Sequence, residues 1–188
     1  NQSLYGFWWQ SVIGQIKNAT RLQKKFLQNQ NRSWWSVHNS LLVSFILEFI
    51  YAFALFLLLG WQALLFILSA GIVGFLLLET INYIEHYGLM RQQRKSGRYY
   101  PVKNIHSWNS NHRLGRIVLY ELTRHSDHHF RSSKKYQLLD HHDVSPQLPF
   151  GYPMSMLIAL VPPVWFHLMN PRIPEEMKAV KSSYKTTA

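Results

Sequence analysis

The sequence contains no cysteine, which excludes disulfide bonds, thiolate metal ligands and cysteine nucleophiles. Any metal ion must therefore be bound through nitrogen and oxygen atoms. Acidic residues are also scarce, with nine Asp and Glu against 20 Lys and Arg. The chain shows no glycine-rich dinucleotide fingerprint and no flavin motif, so a redox reaction would need electrons from another protein.

Charge is almost absent from residues 41–78, where Glu48 is the only charged side chain. This apolar run is about twice the roughly 20 residues that cross a bilayer core of about 30 Å. The segment Gly60-Trp61-Gln62 is the only plausible turn within it. The pattern therefore predicts a two-span transmembrane hairpin with a short outer connection.

Basic residues lie on both sides of the apolar run. They are Lys17, Arg21, Lys24, Lys25 and Arg32 before it, and Arg91, Arg94, Lys95, Arg98 and Lys103 after it. This distribution is typical of the cytoplasmic flanks of membrane spans. It favours the anionic headgroups of a lipid bilayer as the partner of these residues, and not nucleic acid.

The sequence predicts an all-α fold, an integral membrane helical bundle fragment with a two-span hairpin and a cytoplasmic His-rich helical head. Its expected segments are an amphipathic interfacial helix (1–36), the hairpin (37–90), a cytoplasmic His-rich metal-site region (91–145), an interfacial or re-entrant apolar segment (146–170) and a flexible tail (171–188). An apolar helical stretch, Ile117–Leu122, is expected to lead into the histidines. Because the first residues show neither a methionine nor a signal peptide, we expect a fragment.

The strongest candidate for a metal site is the sequence His125-Ser126-Asp127-His128-His129. Residues three and four apart share one face of a helix, so His125 would project with His128 and His129 toward one point. Asp127 could accept a hydrogen bond from the ring N–H of a metal-binding histidine. The alternative is a surface histidine cluster without a metal. The lack of cysteine and the neighbouring membrane helices favour the metal site.

A second cluster lies where the second span is expected to end. A helix continued through it would align Glu79, Asn82 or Tyr83, and His86 along one stripe. Ionisable groups at this depth are costly and usually mark a functional interior. The alternative is that Glu85 and His86 are interfacial residues that reach water.

A third cluster, residues 106–112, is dense in hydrogen-bonding side chains. It could orient metal ligands or begin the next helix, for which Asn111 is a credible N-cap. We rank metal ligation by His106 or His112 below such an orienting role. The two histidines at residues 141–142, flanked by aspartates, are interpreted as solvated loop residues.

Together these motifs resemble the integral-membrane alkane monooxygenases. The resemblance rests on Leu78–Leu89, His106–His112, Arg124–His129, and Pro146–Pro149 followed by Gly151-Tyr152, and it covers nearly the whole chain. It implies that four histidines are ligands of two non-haem iron ions: His86, His125, His128 and His129. It also implies that further histidine ligands lie upstream in a six-helix protein.

The resemblance further implies a bacterial inner-membrane enzyme, multi-pass and with its His-rich region in the cytoplasm. It would hydroxylate the terminal carbon of a medium- or long-chain n-alkane with O2 and electrons from rubredoxin. Basic residues including Arg91, Arg94, Lys134 and Lys135 could steer such an acidic carrier. Residues that could orient the ligands are Glu79, Glu85, Asn82, Asp127, His112 and Asn111. The alternatives are a xylene-type monooxygenase or a fatty-acyl desaturase of the same group and, in another class, a non-catalytic membrane metal-binding protein.

Overall fold

The computed structural model describes residues 1–178. Its α-helices are α1 (Leu4–Asn29), α2 (Ser40–His86), α3 (Arg113–Val118), α4 (His125–Phe130), α5 (Tyr152–Ala159) and α6 (Pro162–Met169), with 3₁₀ turns at Asn104–His106, Tyr136–Leu138 and Asn170–Arg172. Over the described residues, β-structure is limited to isolated bridges, so the predicted all-α class is confirmed. The described residues form two compact units: the hairpin unit (residues 5–79) and the histidine unit (residues 1–4 and 80–178).

α1 ends in a tight reversal of the chain. The N–H of Arg32 donates to the carbonyl of Leu27 at 2.9 Å, and that of Asn31 donates to the carbonyl of Gln28 at 3.1 Å. Asn31 has a left-handed φ of 52°, which asparagine tolerates better than most residues. These are the features of a Schellman motif, which satisfies carbonyls that a helix end leaves unpaired.

The long apolar helix α2 is interrupted at Gly60, whose φ of 82° and ψ of 177° are not helical. Gln15 Nε2 donates to Glu79 Oε1 at 2.9 Å, and Ser40 Oγ donates to Gln23 Oε1 at 2.8 Å. The two glutamines are about 12 Å apart along α1, whereas a straight helix between Ser40 and Glu79 would be about 58 Å long. The chain must therefore turn back near Gly60, which agrees with the predicted hairpin.

Large apolar side chains of α2 face outward. Phe45, Leu58 and Phe66 are 67%, 80% and 75% exposed, and α2 is long and apolar enough to cross a membrane. A soluble protein rarely exposes an apolar surface of this extent, because contact with water is unfavourable. The exposure is therefore that expected of a membrane protein.

The core of the histidine unit contains a cluster of aromatic rings. The ring of Trp165 on α6 lies 5.7 Å from that of Tyr83 and 5.4 Å from that of Tyr87, between centroids. Gly88, which follows the end of α2, has a φ of 72°, and the side chain of Ile173 occupies the space that a Cβ would need. Only glycine fits both conditions, so α2 ends here and the chain leaves in a new direction.

The sequence predicts a helical stretch over Ile117–Leu122, and this prediction is wrong beyond Val118. α3 stops there, and Tyr120 and Glu121 have left-handed φ values of 50° and 61°. The guanidinium of Arg116 donates to the Glu121 carboxylate at 2.7 and 2.8 Å, while the Glu121 N–H donates to the carbonyl of Arg116 at 2.8 Å. These bonds stabilise a turn that the apolar pattern alone does not indicate.

Two further expectations concern helix and chain ends. The N-cap of α3 is His112, without a side-chain capping bond, so the expected cap at Asn111 is wrong. Of the tail expected at residues 171–188, residues 179–188 lie outside the described residues. Met177, before them, is 3% exposed.

Candidate metal centre

Three imidazoles converge where the end of α2 meets α4. The ligand nitrogens of His86, His125 and His129 all lie within 4.8 Å of one another. The Nε2 atoms of His86 and His129 are 3.2 Å apart. Metal–imidazole bonds of about 2.1 Å place two nitrogen ligands of one ion about 3.0–3.4 Å apart. The observed spacing therefore fits two ligands of the same metal ion.

The ring of His86 is oriented by a backbone carbonyl. Its Nδ1 lies 3.2 Å from the carbonyl oxygen of His106. Because a carbonyl can only accept, Nδ1 must carry the proton, and Nε2 keeps the lone pair that a metal needs. A carbonyl on the second ring nitrogen is the usual way in which proteins fix a metal-binding histidine.

The ring of His125 is buried, with 7% of the residue exposed. Neither of its nitrogens has a hydrogen-bond partner among the described atoms. Nε2 lies 3.1 Å from Glu85 Oε2, but this close contact is not aligned as a hydrogen bond. Buried polar atoms without a partner are costly. A metal ion would supply a partner for one of the two ring nitrogens, so the residues present fit a bound metal.

The imidazoles are held in the neutral form that binds metals. Burial, followed by repulsion from His129, His86 and His128, lowers the pKa of His125 to about 2. Burial also lowers the pKa of His129 to about 4. Because the metal-binding form of histidine is uncharged, protons do not compete for these two rings near neutral pH.

His128 lies beside this cluster. Its ring centroid is 5.8 Å from that of His125 and 5.9 Å from that of His129, whereas the rings of His125 and His129 are 4.3 Å apart. The structure thus brings together three of the four predicted ligands. The role of His128 as a ligand stays a prediction.

Glu85 contacts the cluster from its buried side. One carboxylate oxygen approaches His125, and the other accepts a hydrogen bond from the hydroxyl of Tyr152 at 2.9 Å. Burial and the neighbouring carboxylate raise the pKa of Tyr152 well above 10, so the phenol remains a donor. Sequence reasoning expected Glu85 near the site but gave Tyr152 no role. The only sequence signal for Tyr152 is its place in a motif of the family resemblance.

The segment of residues 106–110, called the connecting segment below, holds the end of α2. The backbone N–H of Trp108 donates to the carbonyl of Glu85 at 2.8 Å, and its indole N–H donates to the carbonyl of Tyr87 at 2.7 Å. Trp108 is 1% exposed. These bonds satisfy two carbonyls at the end of the helix and fix the position of the turn that presents His86.

Asn109 in the connecting segment holds the start of α4. Its side-chain amide donates to Ser126 Oγ at 2.7 Å, and its side-chain oxygen accepts the Ser126 N–H at 3.0 Å. Its backbone N–H donates to the carbonyl of Pro146, and its backbone carbonyl accepts the N–H of Leu148, each at 2.8 Å. Sequence reasoning predicted an orienting role for residues 106–112 but did not single out Asn109. Its partner, Ser126, lies between histidines in the cluster.

Asp127 was expected to accept a hydrogen bond from the ring N–H of a metal-binding histidine, but its contacts are with other groups. Its carboxylate accepts hydrogen bonds from Lys134 Nζ at 2.7 Å and from the Asp140 N–H at 2.8 Å, and lies 2.9 Å from His142 Nε2. Burial raises the pKa of Asp127, but these bonds outweigh it and hold the pKa below its ordinary value. The carboxylate therefore anchors the following loop to α4. The interpretation of His142 as simply solvated was wrong.

The other predicted orienting residues have different surroundings. Glu79 accepts hydrogen bonds from Ser11 at 2.6 Å and Gln15 at 2.9 Å, within the hairpin unit. Asn82 is half-buried on α2, while Asn111 and His112 are exposed. An effect of these four residues on a metal stays a prediction.

The chain matches the family described as fatty acid desaturase over residues 2–157, and it belongs to that family. It is 44% identical over 173 residues to alkane 1-monooxygenase 2 of Alcanivorax borkumensis, an alignment covering 92% of this chain and 45% of the relative. It is 36% identical over 177 residues to alkane 1-monooxygenase of Acinetobacter baylyi, covering 94% and 43%. The xylene/toluene monooxygenase hydroxylase component of Pseudomonas putida is 27% identical over 169 residues, covering 89% and 44%. The predicted resemblance to alkane monooxygenases is confirmed, and the chain spans less than half the length of these relatives.

Proposed function

We propose that the protein is a membrane-bound, non-haem iron monooxygenase that hydroxylates the terminal carbon of n-alkanes. The observation that carries the proposal is the convergence of three imidazoles at one point. The two relatives described above as alkane 1-monooxygenases, 44% and 36% identical to this chain, support the choice of substrate. The apolar hairpin supports a membrane location.

His86, His125 and His129 would hold iron, with His128 as a further ligand. The proposal includes two iron ions, as the family resemblance implies, so these residues form only part of the ligand set. Bound iron would supply the activation of O2 that attack on an unactivated C–H bond requires, because side-chain acids and bases cannot supply it. Imidazole ligands suit iron in such sites.

The chain's own residues position these ligands and keep their protonation states fixed. The His106 carbonyl accepts a hydrogen bond from His86 Nδ1 and so keeps the proton on that nitrogen. Glu85 places a buried carboxylate against His125, where it would offset part of a metal's positive charge, and Tyr152 keeps that carboxylate in place. Preorganised ligands of this kind bind a metal without the cost of ordering them.

The proposed location is the bacterial inner membrane, with several spans and with the histidines on the cytoplasmic side. The basic residues that flank the apolar run support this orientation. An alkane partitions into the hydrocarbon core, so a membrane enzyme meets its substrate at high local concentration. The same location would expose the His-rich region to a soluble electron carrier.

We propose rubredoxin as the electron donor, as the resemblance to the alkane monooxygenases implies. Arg91, Arg94 and Lys135 are exposed and could attract an acidic protein. Lys134 is instead paired with Asp127 and Asp140. The rubredoxin-driven rate should fall as salt rises, because screening weakens attraction between exposed charges. A rate independent of salt would contradict steering.

The experiment uses the full-length protein in membranes, supplied with O2, rubredoxin and a reductase. Octane, xylene and a fatty-acyl thioester are offered separately, and products are measured by gas chromatography. We expect 1-octanol as the main product. Dominant oxidation of xylene would favour the function named for the 27% identical relative, and dominant double-bond formation would favour a desaturase.

The metal assignment is tested by replacing ligands one at a time. His86→Ala and His125→Ala should each reduce both the iron content and the hydroxylation rate at least about tenfold, since loss of an imidazole ligand removes several kcal/mol of binding. His167→Ala is the matched control, because His167 is exposed on α6. Hydroxylation at the wild-type rate in His125→Ala would refute the assignment.

A further inference from the structure

The hairpin unit contains a cavity of about 440 Å³ beside the last turns of α1. Its lining residues are Thr20, Lys24, Leu27, Gln28, Arg32 and Trp34. Leu27 is 2% exposed and Trp34 is 36% exposed. The cavity thus combines an apolar surface with two cationic side chains, an arrangement that suits an amphiphilic ligand.

Backbone hydrogen bonds fix the shape of this cavity. The Schellman motif at the end of α1 turns the chain so that Arg32 lies next to Leu27. Further along, the side chain of Asn39 donates to the carbonyl of Trp34 at 2.8 Å and accepts the N–H of Leu42 at 3.2 Å. Asn39 therefore caps the start of α2 and holds the segment containing Trp34. The backbone on two sides of the cavity is therefore held by hydrogen bonds.

The segment of chain that lines the cavity carries only positive charge. Residues 1–47 contain no Asp or Glu, whereas five Lys and Arg are present: Lys17, Arg21, Lys24, Lys25 and Arg32. No ion pair among the described residues includes Lys24 or Arg32. Solvated cations that only set membrane orientation would explain the charge. They would not explain why two of them line a preformed cavity together with a buried leucine and a tryptophan.

We propose that this cavity binds an anionic phospholipid, with Lys24 and Arg32 on its phosphate. Arginine can donate two parallel hydrogen bonds to phosphate oxygens, and lysine adds a point charge. Leu27 and Trp34 contact the glycerol and the upper acyl chain, as tryptophan does at membrane interfaces. The site depends on the membrane location of the protein and is independent of the iron chemistry.

Native mass spectrometry of the purified full-length protein in detergent tests this site. Phosphatidylglycerol is titrated into the wild type, into the Lys24→Gln/Arg32→Gln variant and into Lys17→Gln/Lys25→Gln. The last variant removes the same charge from residues that do not line the cavity. A direct hydrogen bond from a cation to the lipid phosphate contributes about a fivefold gain in affinity, whereas a cation without such a contact contributes little in an uncharged detergent micelle. We expect the cavity variant to bind phosphatidylglycerol about 30-fold more weakly, and the control variant to stay within about threefold of wild type.

Two additional ligands distinguish the source of the phosphate. Phosphatidylcholine should bind more weakly than phosphatidylglycerol, and millimolar inorganic phosphate should not displace the lipid. Equal losses in the two double variants would overturn the proposal in favour of general surface attraction. Displacement by inorganic phosphate would overturn it in favour of a free anion. Unchanged iron content and circular dichroism in both variants would show that they are folded, so unchanged lipid affinity in the cavity variant would also overturn it.

Discussion

Replacement of Asn109 by alanine should disturb the metal centre without touching a ligand. The change removes two buried hydrogen bonds to Ser126, one to its N–H and one to its hydroxyl. Each bond contributes about 0.5–1.5 kcal/mol net, and a buried N–H left without a partner costs about 1–3 kcal/mol. Because these contributions overlap, we expect a loss of about 2–4 kcal/mol. It acts on the first turn of α4, the helix that presents His125 and His129.

The assay compares the full-length Asn109→Ala variant with Asn111→Ala. Asn111 lies two residues further along but is exposed, so it controls for the loss of an amide in the same segment. Iron per protein chain is measured by mass spectrometry after dialysis against a weak chelator, and Tm is measured by fluorescence. We expect Asn109→Ala to lose iron faster and to melt at a lower temperature, while Asn111→Ala has a smaller effect on both quantities.

The result that would refute this reasoning is wild-type iron retention and Tm in Asn109→Ala. It would mean that α4 keeps its position without the connecting segment, and that the two bonds to Ser126 contribute nothing to the site. A fall in Tm without faster loss of iron would show that Asn109 stabilises the unit but does not position the ligands. An equal effect of Asn111→Ala would point to the segment as a whole.

Two further substitutions test the groups behind the ligands. Tyr152→Phe removes the hydrogen bond to buried Glu85 and should cost about 1–3 kcal/mol, measured as a lower Tm together with weaker iron retention; a wild-type Tm would contradict this. Lys134→Gln removes a charged hydrogen bond to buried Asp127, so we expect a loss in the free energy of unfolding that exceeds the loss in a neighbouring lysine variant. Lys135→Gln, at an exposed neighbouring position, should stay within about 0.5 kcal/mol of wild type. Equal effects of the two lysine variants would show that the ion pair does not stabilise the loop.

The local sequence pattern was sufficient to predict the features that depend on short stretches of chain. The length and apolar character of α2, its interruption at Gly60 and the spacing of His125 and His129 on one short helix were all predicted. Each follows from backbone geometry within a few turns, together with the requirement to keep charge out of an apolar environment. The continuation of α2 through His86 was expected for the same reason.

The pattern of apolar residues gave a wrong prediction where side-chain contacts determine the backbone conformation. Residues 117–122 look helical in sequence, yet the Arg116–Glu121 ion pair stabilises left-handed residues that end α3. Together with the hydrogen bond from the Glu121 N–H to the Arg116 carbonyl, this ion pair holds a turn where the apolar pattern predicts more helix. Helix propensity is too weak a guide to decide between them.

The sequence by itself determined the residue types available for the site: imidazole ligands in helical spacing, no thiolate, and an apolar run that precedes them along the chain. Only the tertiary structure decided which groups hold those ligands. Tyr152 meets Glu85, Asn109 meets Ser126 and His142 meets Asp127 across long stretches of chain. Such pairings form because buried polar groups must find partners, and which partner is within reach depends on the packing of the folded unit.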